Sequence, residues 1–463
     1  MASGKSLTVT FARGARRVTG SNFLIEADDG GKTKRILIDC GLAQGERFCE
    51  SVNREKFSYD PASVDAIFFT HAHADHIGLF PKLVKEGFRG KAYATAPTRA
   101  LMPIMLEDSL HIMADEAKRC DDEAPYTAED VTRAVSMVEE LPYGKKIQLS
   151  AGFSVTLYNA GHIIGSASAA IDAFGTRAVF TGDLGRVPAI LVPDREVSKD
   201  IEYLFIESVY GNRVHESIQT SEGILRTAVE DTRKKKGVLL IPAFSLERTQ
   251  IILSALDRMF SGSGEAPLPV FLDSPLAAKV TEVYERFPEF LRSDIQERIK
   301  KGDDPFSFPA LRVTADSQDS HEIDKIPGPK IIIAGAGMSH GGRIRRHEAK
   351  YLSDPGTTLL LSGYQAAGSL GRRIKDGARS VEIDGVHVSV RAQVKSLDGF
   401  SAHADRDDLL GYVEQASPKQ AFVILGETES ASFLAQRIQG FLDIPVTVPR
   451  EGERVELPIK NVS

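Results

Sequence analysis

The sequence predicts an α/β protein in which a strand-rich frame is interrupted by an inserted α/β domain with a parallel sheet. Three observations lead there. At 463 residues the chain exceeds one ordinary hydrophobic core. Short β-rich runs separated by turns dominate up to Ser208, and from Val209 to about Lys375 strand-like and helix-like stretches alternate in the rhythm of βαβ units. The expected division is 1–208 for the first part of the frame, 209–375 for the insert and 376–463 for the return segment.

In the frame, Leu7 to Phe11, Asn22 to Ala27, Arg35 to Cys40, Asp65 to Thr70, Lys91 to Ala96, Phe153 to Ala160, Arg177 to Thr181 and Tyr203 to Glu207 read as strands. One helix is well signalled: Thr127 can cap it, Asp130 follows three residues on, and Val131, Ala134, Val135 and Val138 recur at helical spacing. In the insert, Val238 to Ile241, Val270 to Leu272, Ile331 to Ala334 and Thr358 to Leu361 read as buried strands, separated by helices such as Arg248 to Phe260 and Lys279 to Leu291. The polar, proline-containing run from Gly302 to Pro329 reads as a surface loop, and Lys234-Lys235-Lys236 as a solvated helix end. After Asp384 the chain returns to strands and closes with a helix from Ser430 to Phe441.

Composition sets limits. With 42% apolar and 26% charged residues the chain is ordinary globular protein, so disorder is excluded. The first residues lack an apolar signal core, and runs such as Val238-Leu239-Leu240-Ile241 are too short to span a bilayer, so no membrane partner and a cytoplasmic location are expected. Cys40, Cys49 and Cys120 are odd in number and unpatterned, which argues against a disulfide framework or a thiolate zinc site. A net charge of −7 does not attract polyanions as a whole, but a cleft holding metal ions supplies positive potential locally.

The chemistry is concentrated in His71-Ala72-His73-Ala74-Asp75-His76, directly after an apolar strand. A strand ending in a tight loop can turn His71 and His73 to one ion and Asp75 and His76 to a second, offering the nitrogen and oxygen donors that Zn²⁺ accepts. A single histidine here would be an ordinary core-edge residue; four donors in six positions would be costly to bury without a cation. Two ions about 3.5–4 Å apart can share a hydroxide and clamp the oxygens of an in-line displacement, so hydrolysis is the natural chemistry. Further ligands stand at strand ends: His162 after Gly161 and Asp183 after Gly182, the latter able to bridge both ions. Taken alone each is a turn residue. Asp39, at the end of an earlier strand, can support the histidine loop by hydrogen bonding, or simply cap a turn before Gly41.

The order Asp39, His71 to His76, His162, Asp183 resembles the metallo-β-lactamase superfamily, which implies an αββα sandwich and a catalytic centre of two zinc ions. Glu207-Ser208-Val209-Tyr210-Gly211-Asn212-Arg213, Pro242 to Gln250, Gly337-Met338-Ser339-His340-Gly341-Gly342-Arg343 and Phe400-Ser401-Ala402-His403-Ala404-Asp405 are similar to the β-CASP branch of nucleases, in which the inserted domain closes over the metals. The resemblance implies that Glu207 and His403 contact the scissile phosphate, with Asp75 also catalytic, and that an imidazolium held by a carboxylate stabilises or protonates developing oxyanions. In isolation His403 would be a hydrogen-bonded turn histidine. The Gly335 to Gly342 stretch lacks the ending of a P-loop; its backbone N–H groups with Ser339, Arg343, Arg345 and Arg346 can hold a substrate phosphate, although a plain glycine turn fits as well. Arg248, Arg213 and Ser401 are further backbone-contact candidates, the arginines equally suited to an ion pair between domains.

One position departs from the family. RNA nucleases of this branch carry a metal-binding histidine in a Val-His-Gly-Glu strand end; here the run is Ile424-Leu425-Gly426-Glu427, which leaves Asp75, His76 and Asp183 for a weaker second ion. The DNA-repair members have an apolar valine there, so Leu425 admits a DNA substrate or a catalytically weak RNA-binding scaffold. A small-molecule hydrolase fits less well, because it needs no roofing domain. The reading placed first is a zinc-dependent ribonuclease that hydrolyses single-stranded RNA by metal-bound hydroxide attack, with a homodimer left open; the resemblance implies that it leaves a 5′-phosphate and a 3′-hydroxyl.

Overall fold

The computed structural model describes residues 4–45, 52–263, 266–314, 316–366 and 368–460. The chain forms two compact units, Met1–Val214 with His403–Ser463, and His215–Ala402.

The first unit contains two seven-stranded sheets. One runs Arg454–Leu457, Ser6–Arg13, Asn22–Asp28, Thr33–Ile38, Ala66–Phe68, Lys91–Ala94, Val138–Glu140; the other runs Val446–Thr447, Gln420–Val423, Tyr203–Ile206, Thr176–Phe180, Ala167–Ala173, Phe153–Asn159, Lys146–Ser150. Alternate side chains of both sheets meet in one core: Val9, Phe23, Ile36 and Phe68 from the first, and Val155, Ile171, Phe205 and Phe422 from the second. The opposite face of the second sheet is covered by helices Arg406–Ala416 and Thr428–Leu442, through Leu409, Tyr412, Val413, Leu434 and Ile438. Phe180, Phe205 and Phe422, in register on three adjacent strands, stack almost parallel with ring centroids 4.1 and 4.7 Å apart. Burying each such ring stabilises the unit by about 1.5–3 kcal/mol.

The predicted helix is Ala128–Ser136, with Thr127 and Asp130 exchanging capping hydrogen bonds, but it stops before Val138. Val138 starts a strand instead, paired with Ala92. Cys40 is a free buried thiol, whereas Cys120 is disulfide-bonded; Cys49 lies outside the described residues. Among the described residues no helix is long and apolar enough to cross a membrane.

The second unit is an all-parallel six-stranded sheet, ordered Leu311–Val313, Val270–Leu272, Lys330–Ala334, Val238–Pro242, Thr358–Leu361, Gln393–Ser396. Its central strands are buried throughout, as a sheet covered on both faces requires. One expectation is corrected here. The run from Gly302 to Pro329 is not a bare surface loop, because it supplies the edge strand Leu311–Val313 and the helix Ser317–Glu322, and buries Phe306 and Ile323. As a compact body this unit extends to Ala402, because Gln393–Ser396 joins its sheet beside Thr358–Leu361 and the hairpin strands Ser380–Ile383 and Val386–Ser389 bury Val381, Ile383 and Val388 in its core. Val209 to Val214 belong with the first unit.

Candidate metal centre

Every potential ligand of the first unit stands just past a strand. Strand Ala66–Phe68 leads to His71 and His73, and His73 opens the short helix Ala74–Ile77 that carries Asp75 and His76. His162 follows Phe153–Asn159, Asp183 follows Thr176–Phe180, and Glu207 follows Tyr203–Ile206. His403 is brought in by an antiparallel bridge to Gly185, with Ala404 N–H donating to the Leu184 carbonyl at 2.7 Å. The bridge needs glycine at 185, since a Cβ there would stand 1.7 Å from the Gly161 carbonyl oxygen.

One nitrogen from each of His71, His73 and His162 and one oxygen of Asp183 lie within 4.8 Å of one another. The spacings are 3.0 Å for His71 Nε2 to His73 Nδ1, 3.3 Å for His73 Nδ1 to His162 Nε2, and 3.5 and 3.7 Å from Asp183 Oδ2 to His71 Nε2 and His162 Nε2. A tetrahedron with metal–ligand bonds of about 2.0–2.1 Å has edges of about 3.3–3.4 Å, so these donors fit zinc. A second group is formed by His76 Nε2, 3.4 Å from Asp183 Oδ1 and 4.0 Å from Asp75 Oδ2. His76 Nε2 is buried without a hydrogen-bond partner, as an atom reserved for an ion would be. Leu425 offers no donor: it is buried in the apolar core, with its backbone N–H bonded to the Gly14 carbonyl.

The surroundings fix which nitrogen faces inward. The fully buried Asp39 accepts hydrogen bonds from Thr70 N–H (2.8 Å), Thr70 Oγ1 (2.9 Å), Ser21 Oγ (2.9 Å) and His76 Nδ1 (2.7 Å). Thr70 Oγ1, its hydrogen committed to Asp39, accepts from His71 Nδ1 at 3.1 Å. Both imidazoles therefore turn Nε2 lone pairs to the cluster. Burial holds His71 and His162 well below the usual imidazole range and His73 down to about 3, so these three stay neutral and ready to ligate. For His76 burial opposes the charged form, but Asp183 and then Asp39 outweigh it and raise the imidazole well above its ordinary value; proton and metal compete for that nitrogen. Burial among these groups lifts Asp75 to about 6.

Beside this cluster, Glu207 is fully buried, accepts the Leu184 N–H at 2.6 Å, and lies 3.6 Å from His403 Nδ1, which is 3.8 Å from Asp183 Oδ2. Burial raises Glu207; it opposes charge on His403, but the interaction with Glu207 prevails and raises that imidazole. Ser21 left no signal in the sequence, and Tyr210, whose ring centroid is 5.8 Å from that of His403, was legible only as a member of the Glu207 to Arg213 segment. Thr70 was legible only as the last residue before the hexapeptide.

Asp75, His71, His73, His76, His162, Asp183, Glu207, His403 and the supporting Asp39 thus come together in one unit. The candidates for substrate contact lie in the second unit, apart from Arg213, and two are committed internally. Ser339 is fully buried and donates its hydroxyl to Glu348 at 2.5 Å, and Arg343 gives Nη1–H to the buried Asp273 at 2.7 Å. Arg345 and Arg346 are likewise paired, with Asp384 and Asp324. Ser401 is buried, while Arg248 is half-buried against Gly363.

Three imidazoles and a shared carboxylate, backed by a carboxylate–imidazole pair, define a metallohydrolase. Comparison with known proteins agrees. Residues 24–181 match the model of the metallo-beta-lactamase superfamily domain, 249–374 that of the Beta-Casp domain, and 387–449 that of the Zn-dependent metallo-hydrolase RNA specificity domain. The chain is 37% identical to ribonuclease TTHA0252 of Thermus thermophilus over 95% of its own length and 98% of that protein. It is 31% identical to the transcription termination factor FttA of Methanosarcina mazei, over 97% of this chain and 71% of that one. The fold is similar to a crystal structure of a protein of unknown function from Enterococcus faecalis V583, with a TM-score of 0.56 and 16% identity, covering 98% of this chain and 100% of the other. The chain belongs to the β-CASP branch of the metallo-β-lactamase superfamily. It is a metal-binding protein.

Proposed function

We propose that this protein is a zinc-dependent ribonuclease that hydrolyses phosphodiester bonds of single-stranded RNA during RNA processing or decay. The observation that carries the reading is the shared Asp183: one oxygen closes the donor group of His71, His73 and His162, and the other faces His76. The same carboxylate lies beside the Glu207–His403 pair. The likeness to a ribonuclease over nearly the whole chain supports RNA as the substrate.

His71, His73, His162 and Asp183 would hold one zinc ion, and Asp75, His76 and Asp183 a second. Bound zinc supplies Lewis acidity towards water and phosphate oxygens. The protein supplies the proton. With Nδ1 turned to Glu207 and Asp183, His403 keeps Nε2–H for the leaving O3′ as the P–O3′ bond breaks and a water oxygen adds to phosphorus. Glu207, out of water and fixed by the Leu184 N–H, orients that imidazole and stabilises its charge. The products are a 5′-phosphate and a 3′-hydroxyl.

End-labelled RNA and DNA incubated with the purified protein, and with Asp75→Ala beside it, test the proposal. RNA loss that requires Asp75 is expected. Cleavage confined to DNA, or activity unchanged in Asp75→Ala, overturns it.

A further inference from the structure

The second unit keeps two large aromatic side chains at the surface where its parallel strands end. Phe244 follows strand Val238–Pro242 and Tyr364 follows strand Thr358–Leu361; they are 39% and 40% exposed, whereas Phe271 of the same sheet is 2% exposed. The two strands are neighbours, pairing Leu240 with Leu359, and Ser362 Oγ donates to the Pro242 carbonyl at 2.7 Å, so the register continues up to the residues just before the rings. Crevices outside the carboxyl ends of such strands are where open α/β sheets take their ligands.

Phe244 is held in place rather than left loose. Its carbonyl accepts both the N–H of Thr249 (3.2 Å) and Thr249 Oγ1 (2.8 Å). Gly337 lies directly against the ring, since a Cβ at 337 would come 2.7 Å from Phe244 Cδ2 and 2.9 Å from Cε2. A ring gripped this way and still open to water is prepared for a flat partner. The guanidinium of Arg248 packs on Gly363, the residue before Tyr364, so closely that a Cβ there would stand 2.6 Å from Nη1. An aromatic face beside a cation matches a nucleobase and its phosphate.

Resting on the ribonuclease reading, we propose that Phe244 and Tyr364 form a base-stacking ledge for the RNA substrate, with Arg248 serving the adjoining phosphate. The ledge tolerates any base, because each has a π-face, but it distinguishes RNA with bases from the bare sugar–phosphate chain.

The chain contains no tryptophan, so Phe244→Trp in the full-length zinc-loaded protein places a lone reporter on the ledge. Phosphorothioate-linked oligoadenylate is expected to quench its fluorescence saturably, and an abasic oligomer of equal length is not. In a second measurement, Phe244→Ala or Tyr364→Ala weakens oligoadenylate binding about tenfold, within the range of one lost stack, and leaves abasic binding unchanged. Unaltered tryptophan emission while anisotropy reports bound oligoadenylate overturns the ledge, as does a Phe244→Ala protein that still prefers bases as the parent does. If the parent cleaves RNA and these variants match it, only the ledge fails. If the parent neither binds nor cleaves RNA, the ribonuclease reading fails and takes the ledge with it.

Discussion

Replacing Asp39 with asparagine tests how the protein aims its metal ligands. The carboxylate receives four hydrogen bonds, three of them on Oδ2, from Ser21, Thr70 and His76. An amide nitrogen in that place faces three donors. The two hydroxyls can rotate and accept instead, but His76 Nδ1–H can do so only by moving its proton to Nε2, the atom that faces Asp75 and Asp183. The alternative amide orientation sets two donors head to head at Thr70 N–H. The lost bond, 2.7 Å and charge-assisted, is of a kind worth roughly 1.5–3 kcal/mol. Loss of such outer support typically weakens metal binding about 10–100-fold, which is the same magnitude. Zinc titrated into the metal-free protein against a chelating dye reads the outcome. One equivalent should bind Asp39→Asn much more nearly as it binds the parent, because of its four donors only His71 senses Asp39, and that only through Thr70, while the second weakens by that factor. Two equivalents held as in the parent, or loss confined to the tighter one, would refute the reasoning.

His403→Ala should lower the turnover of RNA by about 10²–10⁴-fold, the usual worth of a positioned acid, with zinc content by metal analysis unchanged. Asp183→Asn removes an oxygen shared by both donor groups, so metal analysis should find both equivalents reduced after dialysis. Burial raises Glu247 from its ordinary 4.5 to about 8, despite the hydrogen bond from Tyr284. Between those values the native state holds a proton that the unfolded chain has released, so stability present at low pH falls as pH rises through about 8, at roughly 1.4 kcal/mol per unit. Urea unfolding at several pH values should show a flatter profile for Glu247→Gln, and parallel profiles would count against the assignment. Chelating zinc should lower the melting temperature measured by calorimetry, since metal bound only to the native state stabilises it, by about 2.7 kcal/mol when zinc is 100-fold above its dissociation constant.

The centre was legible because most of its residues follow apolar strands, and strand ends on one edge of a sandwich converge in space whatever their separation along the chain. His71 to His76, His162, Asp183 and Glu207 follow that rule, whereas His403 arrives by its bridge to Gly185 and was legible only through its motif. Other features leave no such trace. Val138 continues a helical spacing, yet pairing with Ala92 claims it for a strand. Ala167–Ala173 reads ASAAIDA, with almost no β-branched residues, and is a strand because two neighbours pair with it. Gln393–Ser396 looks like any short strand, and nothing in its composition says that it belongs to the sheet of the second unit. Ser339 and Arg343 sit in a polar, glycine-rich run that suggests a phosphate, but the buried carboxylates of Glu348 and Asp273, which claim them, are distant or unremarkable in sequence.

The stacked rings of Phe180, Phe205 and Phe422 behave as a ruler. Each belongs to a strand that, two or three residues further on, delivers Asp183, Glu207 or Leu425, so the hydrogen-bonded ladder that spaces the rings, and that they pack against, also spaces the two carboxylates. Trimming one ring to leucine would let adjacent strand tips drift by fractions of an ångström, and the cost would surface as poor metal geometry in a protein whose reactive groups are all intact.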